Sequence, residues 1–89
     1  MDEIAFRLVH VQWYDAQCES SWQTVDKVSP PAMVVTVGWL IREQDDWITL
    51  AGTISPPHKF ESDYSVNQTM TIPKGMIAPD GIKDLPWQA

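Results

Sequence analysis

The chain has 89 residues, enough for one hydrophobic core, and we therefore expect a single domain over residues 1–89. Hydrophobic residues make up 44% of it and five are Trp, which is typical of a folded chain and excludes a disordered one. Six Lys and Arg against twelve Asp and Glu give a formal charge of −6, which repels phosphate backbones and argues against generic binding to duplex DNA.

The first segment predicts a bent β-strand. Apolar residues stand at 4, 6 and 8 and then at 9, 11 and 13, so the inward face changes near Leu8 and Val9. A bulge or bend at that point would explain the change. A strand curved in this way fits the wall of a small barrel.

Residues 15–31 lose the alternation and end in a pair of prolines, which indicates a connection. Trp22, Val25 and Val28 recur at a spacing of three, behind serines that are good helix caps. This spacing predicts one or two helical turns that cover the barrel as a lid.

The centre of the chain predicts a hairpin. Residues 33–41 form a nearly continuous apolar run rich in Val, which favours a strand buried on both faces, and Gly38 marks a sharp bend or the close approach of another backbone. Residues 42–46 are polar and predict a tight turn. Residues 47–54 then alternate cleanly, as a second strand does.

The last third predicts two more strands. Residues 55–65 contain two prolines and should form the longest exposed loop, and residues 66–72 resume the alternation. The Pro-Lys-Gly turn at 73–75 leads into a short strand, and a second turn at 79–81 precedes Ile82, Leu85 and Trp87, which should fasten the tail to the sheet. The fold class is therefore mostly β, with five strongly bent strands in a closed or nearly closed barrel and at most one short helix.

Two segments resemble the motifs of the Sm fold, a small barrel of the SH3 type. Val-Gly-Trp-Leu at 37–40, followed by acidic residues and Ile-Thr-Leu at 48–50, resembles the first motif. Ile-Pro-Lys-Gly-Met-Ile at 72–77 resembles the second. Residues 8–85 also look like a group of small phage and prophage proteins with a Trp-x-Asp-Ala opening, here at 13–16.

The resemblance implies a ring-shaped homo-oligomer, because Sm proteins assemble as rings. Sm proteins read a base through an Asp-x-x-apolar-Asn turn, whereas the turn here has no Asn and its register is shifted, which argues against RNA recognition of that kind. The second turn keeps a cation beside a glycine, so half of a phosphate or base pocket could survive. The candidate ligand-binding residues are Gln44, Asp46, Trp47, Lys74 and Gly75.

Catalysis, metals and cofactors find little support in the residues. No Gly-x-Ser-x-Gly elbow or glycine-rich phosphate loop is present, and His10 and His58 have no Cys or His at metal spacing. The acidic pairs at 45–46 and 61/63 lack the ligand count of a cation loop and are interpreted as solvated turns. We therefore expect no enzyme activity, no catalytic or metal site and no cofactor.

The expected location is the cytoplasm of an infected bacterial cell, since Cys18 has no partner for a disulfide and no signal peptide or membrane span is recognisable. The preferred function is that of a phage-encoded Sm-like binding protein acting as a homo-oligomer. The alternatives are a host-directed protein, or one that binds a small nucleotide signal against host defence, and a minor virion assembly component. A host protein, RNA or a small nucleotide remain possible partners, whereas a membrane is not expected.

Overall fold

The computed structural model describes residues 5–60 and 62–86, and in them five antiparallel strands form one sheet in the order β4-β3-β2-β1-β5. The only helical elements in these ranges are two 3₁₀ turns, Val25–Lys27 and Lys74–Met76, so they hold no α-helix. The mostly-β class with five strands is therefore confirmed. The strands are β1 (Arg7–Asp15), β2 (Ala32–Glu43), β3 (Trp47–Ser55), β4 (Ser65–Pro73) and β5 (Ile77–Asp84).

The sheet is open, because no ladder joins β4 to β5 in the described part of the chain. The Cα radius of gyration is 16.9 Å, with extents of 59 × 25 × 24 Å, whereas a compact chain of this length would have a radius near 12 Å. The sheet is nevertheless strongly bent, since the Thr36 hydroxyl of β2 lies 3.8 Å from Met70 Sδ of β4, two strands away. The closed or nearly closed barrel expected from the sequence is thus not formed by the hydrogen bonding of one chain.

The core lies on one face of this sheet. Opposed residues of antiparallel strands share a face, so the alternation of β1 and β3 collects their apolar side chains on the inner side of the bend. The buried cluster consists of Val9, Val11, Ile48, Leu50 and Ile72, with Trp13, Leu40, Ile77 and Ile82 packed against it. The core is small and is confined to the middle of the sheet.

Gly38 is required by a close approach between β2 and β3. A Cβ at this position would lie 2.9 Å from the carbonyl oxygen of Ala51 and 3.2 Å from the Cβ of Leu50. The prediction of a close backbone contact at Gly38 is confirmed, and the contact lets β3 lie against the centre of β2.

The bend predicted in β1 near Leu8 and Val9 is wrong in position. The β1–β2 ladder runs without a shift from Arg7 opposite Leu40 to Asp15 opposite Ala32. The irregularity of β1 lies instead in its pairing with β5, between Val11 and Trp13. Leu8 is half-buried on the outer face opposite Trp39, whereas Val9 is buried on the inner face. Adjacent apolar residues occur here because both faces of the strand are covered, at least in part. Ile4, the start of the predicted pattern, lies outside the described residues.

The predicted lid is also wrong, because Trp22, Val25 and Val28 are exposed and only one 3₁₀ turn forms among them. Residues 16–31 form a longer exposed connection than the loop at 56–64, which was expected to be the longest. The prediction that β2 is buried on both faces is also wrong, since Met33, Val35 and Val37 are about half exposed. No other element of the described chain packs over the outer face at these positions, and the apolar run alone cannot signal that lack.

β5 is longer than the short strand that was expected. The Pro-Asp-Gly segment at 79–81 does not end it but forms a bulge opposite Gln12, in which Asp80 has a φ of 54° and a Cβ on Gly81 would meet the Gln12 carbonyl oxygen at 2.6 Å. The tail is fastened as expected by Ile82, which packs on the core, and by Leu85, whose N–H donates to Leu8 O at 2.8 Å. Trp87 lies outside the described residues.

Candidate functional site

The two turns that carry the predicted ligand-binding residues meet at one end of the sheet. The N–H of Lys74 donates to the carbonyl oxygen of Asp46 at 2.8 Å, and the N–H of Gln44 donates to that of Trp47 at 2.9 Å. These backbone bonds hold the turn at 44–46 beside the 3₁₀ turn at 74–76. The predicted ligand-binding residues therefore lie near one another at this end of the sheet: Gln44, Asp46, Trp47, Lys74 and Gly75.

The cation of the second turn already has a partner. Lys74 Nζ lies 2.9 Å from Oε2 of Glu43, at the end of β2. A ligand at Lys74 would have to displace this carboxylate or share the ammonium group with it. Gly75 beside it is exposed, and a Cβ there would meet nothing within 4 Å, so the glycine is not needed for a close backbone approach.

A cleft of about 420 Å³ opens on the outer face next to these turns. Of the five predicted residues only Trp47 lines it. The cleft joins residues from four separate segments, which no linear motif would connect. Its lining consists of Phe6, Ile41, Arg42, Trp47, Thr49, Asp63, Tyr64, Val66 and Thr71.

A row of polar side chains crosses the floor of the cleft. In the ladders Arg42 of β2 stands opposite Thr49 of β3, and Thr49 stands opposite Thr71 of β4, so the three share one face. The hydroxyl oxygens of Thr49 and Thr71 are 2.8 Å apart and share one hydrogen bond. One hydroxyl hydrogen of the pair is therefore available to a further acceptor.

An irregularity in β2 brings Arg42 into this row. Leu40 pairs with Leu50, but the next pair joins Arg42 to Thr49, so one extra residue, Ile41, is accommodated in β2. Bulges of this kind re-aim side chains and occur often beside functional sites. In an unbroken ladder Ile41 would stand opposite Thr49, and Arg42 would be on the other face.

Aromatic residues form the wall of the cleft. The rings of Phe6 and Tyr64 meet edge to face, with centroids 5.1 Å apart and an interplanar angle of 71°. The Tyr64 hydroxyl accepts a hydrogen bond from the N–H of Ala5 at 3.3 Å, and the N–H of Tyr64 donates to Oδ1 of Asp63 at 2.8 Å. These contacts attach the end of the 56–64 loop to the start of β1. Together with the half-buried Trp47, they give the cleft flat apolar surfaces beside polar groups.

The charged groups of the cleft are open to a ligand. Within residues 5–60 and 62–86, the Arg42 guanidinium has no ion pair or hydrogen bond, unlike Arg7 and Lys74. Asp63 uses one carboxylate oxygen in its bond to Tyr64. A second cleft, of about 290 Å³, lies within the 16–31 connection and has neither a cation nor an aromatic residue in its lining.

The comparison with other proteins adds no further site. No family model matches the chain, and no match was found among curated proteins or solved structures. Among the described residues, no group of three or more His, Cys, Asp and Glu side chains is placed to hold a metal ion. In the same part of the chain, no helix combines the length and apolar composition that crossing a membrane requires.

Proposed function

We propose that the protein is a phage-encoded, Sm-like binding protein without catalytic activity, which works as a ring-shaped homo-oligomer joined through its two edge strands. The observation that carries the proposal is the open sheet, in which β4 and β5 are the terminal strands and neither has a second partner in the described chain. Unpaired strand edges present rows of free N–H and C=O groups that template pairing with another chain.

The strand order is compatible with a closed ring of copies. Because β4 and β5 are different edges, the contact between β4 of one copy and β5 of the next joins unlike surfaces. Contacts between unlike surfaces produce a ring when the rotation closes. The bend of the sheet, which brings Thr36 of β2 within 3.8 Å of Met70 of β4, supports a curved contact between copies.

Each edge strand contains a residue with a positive φ that limits where copies pair. Gln68 in β4 has a φ of 56° and Asp80 in β5 has a φ of 54°, so the regular edge lies beyond these residues. Pairing between copies therefore uses residues 69–73 of β4 and 82–84 of β5. Such short segments need additional contacts, and β4 also exposes the side chains of Val66 and Met70.

The apolar surface left by one chain supports assembly. Ten large hydrophobic side chains in the described residues are exposed, whereas the fully buried side chains are few. Chains with such small cores are commonly stabilised by oligomerisation. The exposed side chains are Tyr14, Trp22, Val25, Val28, Met33, Val35, Val37, Phe60, Val66 and Met70.

The cytoplasm of an infected cell is the proposed location, which is consistent with the free, exposed thiol of Cys18. The proposed mode of action is binding by the assembled ring. The negative charge of each copy favours partners other than long polyanions.

A pair of matched lysine variants tests the assembly. Thr69→Lys places a charge on the free edge of β4, and Thr53→Lys places the same charge on β3, inside the sheet. Lysine on an edge strand opposes edge-to-edge pairing. We expect sedimentation velocity to show an oligomer for the wild type and for Thr53→Lys, and a dissociated species for Thr69→Lys.

The variant pair also separates edge pairing from other modes of association. An oligomer that persists unchanged in Thr69→Lys, or that dissociates equally in both variants, would contradict pairing through β4. Circular dichroism of both variants checks that the sheet is retained.

A further inference from the structure

We propose that the outer-face cleft between Arg42, Trp47 and Tyr64 binds a nucleoside monophosphate, with the phosphate at Arg42 and the base on Trp47. The cleft is formed by one chain, so this inference does not depend on the assembly of a ring. Its volume of about 420 Å³ lies toward the small end of ligand pockets, which span about 300–1,000 Å³.

The phosphate position follows from the polar row on the floor. Arg42 and Thr49 are directly opposed in the β2–β3 ladder, which places their Cβ atoms about 5 Å apart. A guanidinium group binds phosphate through two parallel hydrogen bonds. The hydroxyl hydrogen that Thr49 and Thr71 do not use between themselves can supply a third.

The base position follows from the aromatic wall. Trp47 precedes Thr49 by two residues on β3, so the two share a face and lie about 7 Å apart along the strand. In a nucleotide the ribose separates the base from the phosphate by a comparable distance. Stacking on an aromatic side chain contributes about 1–3 kcal/mol per base and tolerates every base.

The carboxylate in the lining favours a ligand that carries hydroxyl or amino groups as well as a phosphate. Asp63 has one oxygen bonded to the N–H of Tyr64, which leaves the other without a hydrogen-bond partner in the described residues. Free carboxylate oxygens accept hydrogen bonds from hydroxyl groups and amines. A ribose diol or the exocyclic amine of a base supplies such donors. Inorganic phosphate has neither a sugar nor a base.

A single nucleotide fits the charge of the site better than a polynucleotide does. Among the described residues, Arg42 is the one cation in the lining, and the net charge of the chain is −6. Each further phosphate of a longer strand would lie against a negatively charged surface without a cation to neutralise it. The ligand is therefore small and carries one phosphate group.

Isothermal titration calorimetry with the four ribonucleoside monophosphates tests the proposal on the full chain. We expect at least one of them to bind once per chain, and the matching nucleoside and inorganic phosphate to bind about tenfold more weakly, since each lacks half of the contacts. Absence of binding by all four at millimolar concentration would overturn the proposal. Tighter binding of a short RNA homopolymer than of any monophosphate would also overturn it.

Charge-matched variants locate the site. Arg42→Gln should weaken the binding of the monophosphate by about tenfold or more, because the phosphate contact is lost. The affinity for the matching nucleoside should stay nearly unchanged. Lys83→Gln, which removes the same charge from β5, should change the affinity less than twofold. Equal weakening by both variants would show a general charge effect and contradict a site at Arg42.

A second variant tests the stacking surface. Trp47→Leu should weaken the binding of both the monophosphate and the nucleoside. Trp22→Ala, which removes a fully exposed ring from the 16–31 connection, should weaken the binding of neither. Trp47 is half-buried, so thermal unfolding of this variant is measured first. If the variant unfolds, the contrast between Arg42→Gln and Lys83→Gln decides the question alone, because both of these side chains are exposed.

Discussion

The centre of the sheet and the far end of the β1–β2 hairpin are both apolar in sequence, but only the centre is covered. Leu50 and Ile72 are 1% exposed, whereas Val35 is 51% exposed and Trp22 on the adjoining connection is completely so. The centre lies inside the bend, where β3 and β4 face β1. Within residues 5–60 and 62–86, no element lies over the outer face of the far end, so its apolar side chains remain available to another surface.

The largest expected effect is on the free energy of unfolding, when apolar volume is removed from each region in turn. Leu50→Ala should lower the free energy of unfolding by about 2–5 kcal/mol, because it leaves a cavity in the core. Val35→Ala should change it by less than about 0.5 kcal/mol, as exposed positions do. Urea denaturation at low protein concentration measures both, and equal losses would contradict the assignment of core and surface.

A smaller effect tests how the centre is held together. Gly38→Val should lower the free energy of unfolding by about 1–3 kcal/mol, because its side chain would push Ala51 and β3 away from β2. Gly75→Ala is the control, since open space surrounds that position. If Gly38→Val left the free energy of unfolding unchanged, β2 and β3 would not approach as closely as described.

The smallest effect concerns the attachment of β5 to the centre. Nε of Arg7 donates to Oδ1 of Asp84 at 2.6 Å, and this hydrogen bond lowers the pKa of Asp84. The stabilisation is present above the pKa of an unfolded aspartate, about 3.9, and is lost as the pH falls through the lowered pKa of the folded state.

Asp84→Asn should therefore lower the Tm slightly at neutral pH and not at all in strong acid. The pair is exposed, so the difference is small even at its maximum. Melting curves across this pH range make the comparison, and a difference that grew as the pH fell would have the wrong sign.

Strand positions could be predicted from the sequence wherever one face of a strand is buried. The alternation at 47–54 and the Gly38 contact both follow from local chemistry, and both appear in the structure. The prediction of a turn at 79–81 was wrong. The residues Pro-Asp-Gly, which often make a turn, form a bulge here because the neighbouring strand continues past them at Gln12. The choice between the two depends on a partner strand far away in sequence.

The cleft could not be predicted because pairing register creates it. Trp47 was recognised as a candidate from its place at a turn, but Arg42 reaches the same face only through the extra residue in β2. Tyr64 and Phe6 meet across most of the chain, and no spacing signals that contact. The turns at 42–46 and 73–75 were predicted from local composition, whereas the ion pair between Lys74 and Glu43 was not.

Native mass spectrometry of the wild-type chain at micromolar concentration tests the central claim most directly. Pairing of the β4 edge with the β5 edge of the next copy predicts one dominant closed assembly whose mass is a single multiple of the chain mass. A monomer that persists at all concentrations, or an open series of multiples without a preferred size, would contradict the ring.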